Sequence, residues 1–243
     1  MLKRLNKYIS DTGFCSRREA DKLIEQGRVL VNGKAPELGT KIGEDDIVSV
    51  DKKPVRAVPQ NKSDRVYLAY HKPVGVICTT ERKVKGNIVD AVNFKQRIFP
   101  IGRLDKPSEG LILLTNDGDI VNKILRAENA HEKQYRVNVN KPITPRFIKR
   151  MSSGVPILDT VTLPCKVTQI GKTSFDIVLT QGLNRQIRRM CEYLGFEVTK
   201  LVRKRIMHIS LGSLKAGQYR ELSAEELNKL NQAVQHSSKV ASK

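Results

Sequence analysis

The sequence predicts an α+β fold in two domains, and three observations carry that prediction. Strand-like alternating segments and segments with helical spacing are interspersed, without the regular strand–helix–strand alternation that builds a parallel sheet. A polar stretch holding two prolines, residues 51–64 (DKKPVRAVPQNKSD), interrupts the chain and reads as a linker. No segment repeats at the spacing of about 20–50 residues that marks solenoids and propellers. The expected division is therefore a small domain over residues 1–50, the linker, a larger domain over 65–234 and a frayed tail over 235–243.

The elements follow in order. Ser16 opens the string S-R-R-E with Glu19 three residues on, the pattern of a capping box. Ala20, Leu23 and Ile24 continue at helical spacing, and Gly27 stands where a helix C-cap belongs. Residues 29–31 form a short apolar run that ends at Asn32-Gly33, the pair suited to a hairpin turn whose two central residues need positive φ. Residues 42–50 supply another strand region. In the larger domain, residues 66–71 alternate like a strand, and 76–79 are expected to return beside them across Lys72-Pro73-Val74-Gly75. Residues 97–103 and 111–115 read as buried strands, and Asn116-Asp117-Gly118 starts a helix through Leu125. A strand is expected over 135–139. Thr144-Pro145 places an N-cap before a proline at the first helical position. Residues 165–169 and 175–180 read as paired strands around Gly171, 184–193 as a helix bearing three arginines, and Ser223 with Glu226 as a second capping box opening the last helix.

Charge limits the function classes. Lys and Arg number 44 against 25 Asp and Glu, a formal net charge of +19. A chain this basic repels itself, and the usual compensating partner is a polyanion. Nucleic acid leads, because neutralised phosphates release condensed counterions. A membrane surface would call for a basic amphipathic helix or a lipid signal, and neither is present. No apolar run approaches the roughly 20 residues of a membrane span, and the opening MLKRLNKYIS lacks the apolar core of a signal peptide. Cys15, Cys78, Cys165 and Cys191 are scattered, without a C-x-x-C pair or a histidine at metal-ligand spacing. Free thiols, a cytoplasmic location and no metal are the expectation.

Five stretches carry chemistry. Arg4, Lys7, Arg17, Arg18, Lys22 and Arg28 surround the first capped helix, as a solvated basic face or as a phosphate site at a helix N-terminus. The text R-L-N-K-Y-I, then G-x-C-S-R-R-E-A-D-x-x-I-x-x-G-x-V-x-V-N-G, resembles the S4-type RNA-binding domain from about Arg4 to Val50. Asp105, read alone, suits a turn residue that hydrogen-bonds its own backbone. Its surroundings, G-R-L-D-K-P-S-E-G-L followed by L-L-T-N-D-G, resemble the central motif of pseudouridine synthases, with Ser108 where Thr is commoner. Lys72-Pro73-Val74-Gly75 is similar to that family's K-P-x-G motif, and Glu132-Lys133-Gln134-Tyr135 to the segment supplying its tyrosine. Gln181-Gly182-Leu183-Asn184-Arg185-Gln186-Ile187-Arg188-Arg189-Met190 is similar to its C-terminal Q-I-R motif. The order of these motifs resembles the bacterial branch that modifies ribosomal RNA at single uridines, and residues 123–133 and 151–158 resemble its large-subunit enzymes.

The resemblance implies a catalytic domain built on a mixed, mainly antiparallel sheet with flanking helices, and conversion of a uridine to pseudouridine. It implies Asp105 as nucleophile, Arg188 as the ion-pair partner whose fork keeps that carboxylate ionised and aimed, and Tyr135 stacking on the flipped uracil and serving the C5 proton. Arg103 would fill the space the nucleotide leaves. Lys72, Asn184, Arg185 and Arg189 would touch RNA near the site, and Arg4, Lys7, Arg17 and Arg18 would grip backbone from the first domain. The isomerisation gains and loses no atoms, so no cofactor is called for. The expected partner is structured RNA, a stem-loop of 23S ribosomal RNA first and transfer RNA as a further substrate; no membrane or small-molecule partner is expected, and the chain is expected to act as a monomer. The competing reading is a non-catalytic S4-domain RNA-binding factor in ribosome assembly. Loss of the aspartate or the tyrosine would mark it, and both residues are present.

Overall fold

The computed structural model describes residues 2–55, 65–125 and 130–235. The chain divides into two units, Met1–Arg65 and Val66–Lys243.

The first unit runs β1 (Lys3–Arg4), α1 (Leu5–Asp11), α2 (Arg17–Glu25), β2 (Val29–Val31), β3 (Lys41–Ile42), β4 (Val48–Val50) and β5 (Lys53–Pro54). Leu5, Ile9, Ala20, Leu23 and Ile24 put the apolar faces of both helices onto Val29, Ile42, Val48 and Val50. Ser16 caps α2 by accepting the Glu19 N–H at 3.1 Å, and Gly27 leaves the helix at φ +67°. Asn32 and Gly33 take φ +50° and +79°, so the predicted turn forms. The expected hairpin stops there with a single bridge, Val31 to Lys34, and β2 pairs instead with β4. Pro36 follows directly and has no N–H to extend a ladder. Asn32 recruits the later strand itself: its carbonyl oxygen accepts the Ile47 N–H at 2.9 Å and its amide donates to Asp46 at 2.7 Å. The stretch read as a linker begins with structure, because Val50 and Ser49 pair with Lys53 and Pro54. Its residues 56–64 lie outside the described residues, as do 236–243 of the expected tail and 126–129 within the family-like segment 123–133.

The second unit runs β6 (Tyr67–Lys72), α3 (Ile88–Val92), β7 (Phe99–Ile101), β8 (Glu109–Thr115), α4 (Gly118–Leu125), β9 (Lys133–Val139), α5 (Pro145–Ser153), β10 (Pro156–Ile157), β11 (Thr160–Val161), β12 (Lys166–Gly171), β13 (Ser174–Leu179), α6 (Gln186–Tyr193), β14 (Val198–Ile206), β15 (Ile209–Ser210), β16 (Tyr219–Glu221) and α7 (Ala224–Val234). Its sheet has the order β12-β13-β9-β14-β8-β6-β16, with β7 also on β8 and β15 on β14. The β8–β14 pair is parallel and the other described pairs of this sheet are antiparallel. This is the mixed, mainly antiparallel sheet with flanking helices that the sequence implied.

Alternation along the strands puts helices on both faces. Leu68, Tyr70, Ile112 and Leu114 pack with Ile88 and Val92 of α3. Tyr67, Ala69, Leu111 and Leu113 pack with Ile120 and Ile124 of α4 and with Leu230 and Val234 of α7. Val137, Phe175 and Ile177 pack with Phe147 and Met151 of α5 and with Ile187 and Met190 of α6.

Two further expectations need correction, and one strand went unread. Residues 76–79 form no strand beside β6; Ile77 makes only an isolated bridge to Asn87, because β8 and β16 occupy both edges of β6. The helix expected over 184–193 begins at Gln186, because Arg185 sits in the left-handed region at φ +50°. The longest strand, β14, was not anticipated, since four cations in V-T-K-L-V-R-K-R-I hide its apolar period. Among the described residues no helix is long and apolar enough to cross a membrane.

Candidate active site

Asp105 lies on the loop from β7 to β8, with its side chain about one third exposed. The Ser108 N–H closes the loop onto the Asp105 carbonyl at 3.0 Å. A second loop, after β6, supports it: the Gly75 N–H donates to the Lys106 carbonyl at 2.8 Å, and the Leu104 N–H to Cys78 Sγ at 3.3 Å. Lys72 stands between them with no exposed surface, and its ammonium donates to the carbonyls of Pro73 at 2.8 Å and Val76 at 2.9 Å. Burial pulls the Lys72 amine below its ordinary range, while Cys78, Asp105 and Glu109 act in the opposite sense. Lys72, expected as an RNA contact, is thus a pin that gathers the turn beneath Asp105, because a buried ammonium needs acceptors and those carbonyls supply them.

α6 brings the cations. Arg185 Nη1 is 3.7 Å and Arg188 Nε 4.0 Å from Asp105 Oδ2. The Arg188 fork serves the loop more than the carboxylate: Nη2 donates to Ser108 Oγ at 3.0 Å and to the Pro107 carbonyl at 3.2 Å, and Nη1 to the Val198 carbonyl at 3.2 Å. Its Nε, the atom 4.0 Å from Asp105, is buried without a hydrogen-bond partner among the described residues. Burial and then the neighbouring Arg185 lower the affinity of Arg188 for its proton, and Asp105 raises it. Arg189 and Asn184, expected as RNA contacts, bind each other, with Nε to the Asn184 carbonyl at 3.1 Å and Nη2 to its side-chain oxygen at 3.3 Å. That pair braces the turn carrying Arg185, with help from Gln186 Oε1, which accepts the Leu183 N–H at 3.0 Å.

Tyr135 sits on β9, half-buried, in register with Ile177 of β13 and Arg203 of β14. Arg203 is 4% exposed; its Nε donates to the Leu111 carbonyl at 2.6 Å and its guanidinium carbon is 5.9 Å from the Tyr135 ring centre. Gly110 makes the β8–β14 approach possible, since a Cβ there would lie 2.5 Å from the Arg203 nitrogen. Arg103 is exposed, two residues before Asp105. The structure therefore gathers Asp105, Arg185 and Arg188, with Lys72 buried in the adjoining loop, and pairs Arg189 with Asn184.

Sequence reasoning missed Arg203 and the loop-holding part of Ser108, which is 1% exposed. The hydroxyl at 108 was visible in the motif; its contact with Arg188 was not. A buried arginine inside a strand that was itself not recognised left no signal. In the first unit, Arg4, Arg17 and Arg18 are exposed and Lys7 is half-buried.

Comparison with known proteins adds independent findings. Residues 66–193 match the model of the RNA pseudouridylate synthase family, and residues 3–48 that of the S4 domain. The chain is 56% identical over 238 residues to a protein of Salmonella typhi named dual-specificity RNA pseudouridine synthase RluF, covering 98% of this chain and 82% of that one. It is 55% identical over 235 residues to the protein of the same name from Escherichia coli K12, covering 97% and 80%. A crystal structure described as a pseudouridylate synthase superposes with a TM-score of 0.68 at 26% identity, over 93% of this chain and 99% of that one.

Proposed function

The chain belongs to the RNA pseudouridylate synthase family and carries an S4 domain, and on that premise we propose that it converts a uridine of structured RNA to pseudouridine with Asp105 as nucleophile. One observation carries this reading: a partly exposed carboxylate on a pinned loop, with two guanidinium groups 3.7 and 4.0 Å away. In the reaction the N1–C1′ bond breaks, a C5–C1′ bond forms, C5 loses its proton and N1 gains one, so product and substrate are isomers.

An ionised carboxylate can add to C1′, remove the 2′ proton to give a glycal, or add to C6. All three routes use Asp105 as a carboxylate, and Arg185 and Arg188 lie 3.7 and 4.0 Å from it. The uridine must leave its stack to reach the loop. Tyr135 offers a ring to stack on the flipped base and a hydroxyl to serve the C5 proton. Arg103 is exposed, and its guanidinium would fill the gap in the stack. Arg185 faces the carboxylate and is exposed enough to touch the incoming phosphate or ribose.

The favoured substrate is a stem-loop of 23S ribosomal RNA, with transfer RNA as a second substrate. The name dual-specificity borne by the relatives supports more than one kind of RNA substrate. The chain would act as a monomer in the cytoplasm, with Arg4, Lys7, Arg17 and Arg18 of the S4 unit on the RNA backbone. The test is release of tritium from RNA labelled at C5 of uridine. Wild type should release it from large-subunit RNA, and Asp105→Asn should release none. Absence of release from large-subunit, small-subunit and transfer RNA, naked or assembled, would identify a non-catalytic RNA-binding factor instead.

A further inference from the structure

Arg203 is a buried cation that no step above uses. It is 4% exposed, and no carboxylate lies within ion-pair distance of it among the described residues. An arginine cannot shed its proton to escape burial, so its charge must be held by dipoles and by π-density. The Leu111 carbonyl takes Nε at 2.6 Å. The Tyr135 ring lies 5.9 Å from the guanidinium carbon, within cation–π range. Nη2 is buried with no hydrogen-bond partner among the described residues.

A pin between β8 and β14 would need only the Nε bond, and an uncharged donor could make it. The rest of the guanidinium is explained by what it faces. Its field also reaches both neighbouring buried amines, Lys72 and Lys133, and lowers their proton affinity. Arg203 therefore stands at the junction of the pinned loop and the strand that carries Tyr135. We propose that Arg203 is a positioning residue that holds the Tyr135 ring, through its π-face, in the orientation in which the flipped uracil meets it. The proposal rests on the stacking part assigned to Tyr135 above. It adds a contact that would orient that half-buried ring.

The first readout is independent of activity. The protein has six tyrosines, so 3-fluorotyrosine labelling with Tyr135→Phe for assignment isolates the residue-135 fluorine resonance. In Arg203→Met that resonance should move and broaden; in Arg203→Lys, which keeps the cation and loses the Nε geometry, it should stay near its wild-type position. The second readout is single-turnover pseudouridine formation. Arg203→Met should slow it roughly thirtyfold, the size of a desolvated cation–π contact, with RNA affinity changed less than about threefold. In a Tyr135→Leu background the same substitution should change the rate less than about twofold, because the two residues act as one.

An unchanged fluorine resonance in Arg203→Met, or additive losses in the double variant, would overturn the proposal and leave Arg203 a strand pin. Should Arg203→Met not fold, Arg203→Gln, which also removes the cation, serves instead: its fluorine resonance should move, and its rate loss should vanish in the Tyr135→Leu background. If the wild type forms no pseudouridine, the functional reading fails, while the fluorine experiment still decides the contact between Arg203 and Tyr135.

Discussion

Arg188 joins three parts of the chain with one planar group: the Pro107–Ser108 turn, the Val198 carbonyl at the start of β14, and Asp105. Lysine would keep the charge and lose the fork. Arg188→Lys should therefore lower kcat about a hundredfold, the cost of a misplaced reacting group, with RNA affinity nearly unchanged; rapid-quench kinetics beside a binding titration checks this. Lys133 makes a different prediction. It is 6% exposed, and burial with the field of Arg203 brings its amine down to about 8. Below that pH both states carry the charge, and the folded state bears the cost of burying it. Between about 8 and the ordinary lysine value near 10.4 the unfolded chain binds more protons, so unfolding free energy rises with pH in that window. Urea midpoints should climb from pH about 8 to about 10 in the wild type and climb less in Lys133→Met. Equal slopes would show that Lys133 is not held this way.

Among the elements, the parallel pairing of β8 with β14 is the joint on which the site hangs. It places Gly110 against the Arg203 backbone at φ +112°, where a side chain has neither conformational room nor space. Gly110→Ala should destabilise the second unit by about 1–3 kcal/mol or more, as overpacking against backbone does, and should reduce activity in the fraction that folds; a thermal melt with a tritium-release assay reads both. Local signals held where local chemistry decides the outcome. Ser16, Thr144 and Ser223 all cap helices as their patterns predict. Signals failed where a distant strand competes: Lys72-Pro73-Val74-Gly75 has hairpin chemistry, yet β6 finds its partners at β8 and β16. Arg185 belonged by pattern to a helix, but its left-handed conformation turns it toward Asp105.

For the molecule as a whole, a net charge of +19 predicts RNA binding that weakens steeply with salt. A double variant Arg17→Ala, Arg18→Ala should weaken affinity for a stem-loop and reduce the slope of log K against log salt by roughly one to two. Turnover at saturating RNA should stay close to wild type. Filter binding across a salt series tests this, and an unchanged slope would remove these two arginines from the RNA contact.

The sequence by itself determined the class of fold, the helix caps, the polyanion partner and the motif residues around Asp105. Each of these is written in short-range patterns or in composition, where neighbouring residues and total charge set the outcome. Tertiary structure alone decided that Lys72 is buried under the loop, that Arg188 holds Ser108 and Pro107 more tightly than it holds Asp105, and that Arg189 turns back onto Asn184. It alone brought β14 between β8 and β9 and set Arg203 behind Tyr135. Those placements come from pairing strands far apart in the chain. The donors and acceptors that meet there satisfy one another only once the sheet has closed, so no local stretch of residues could announce them.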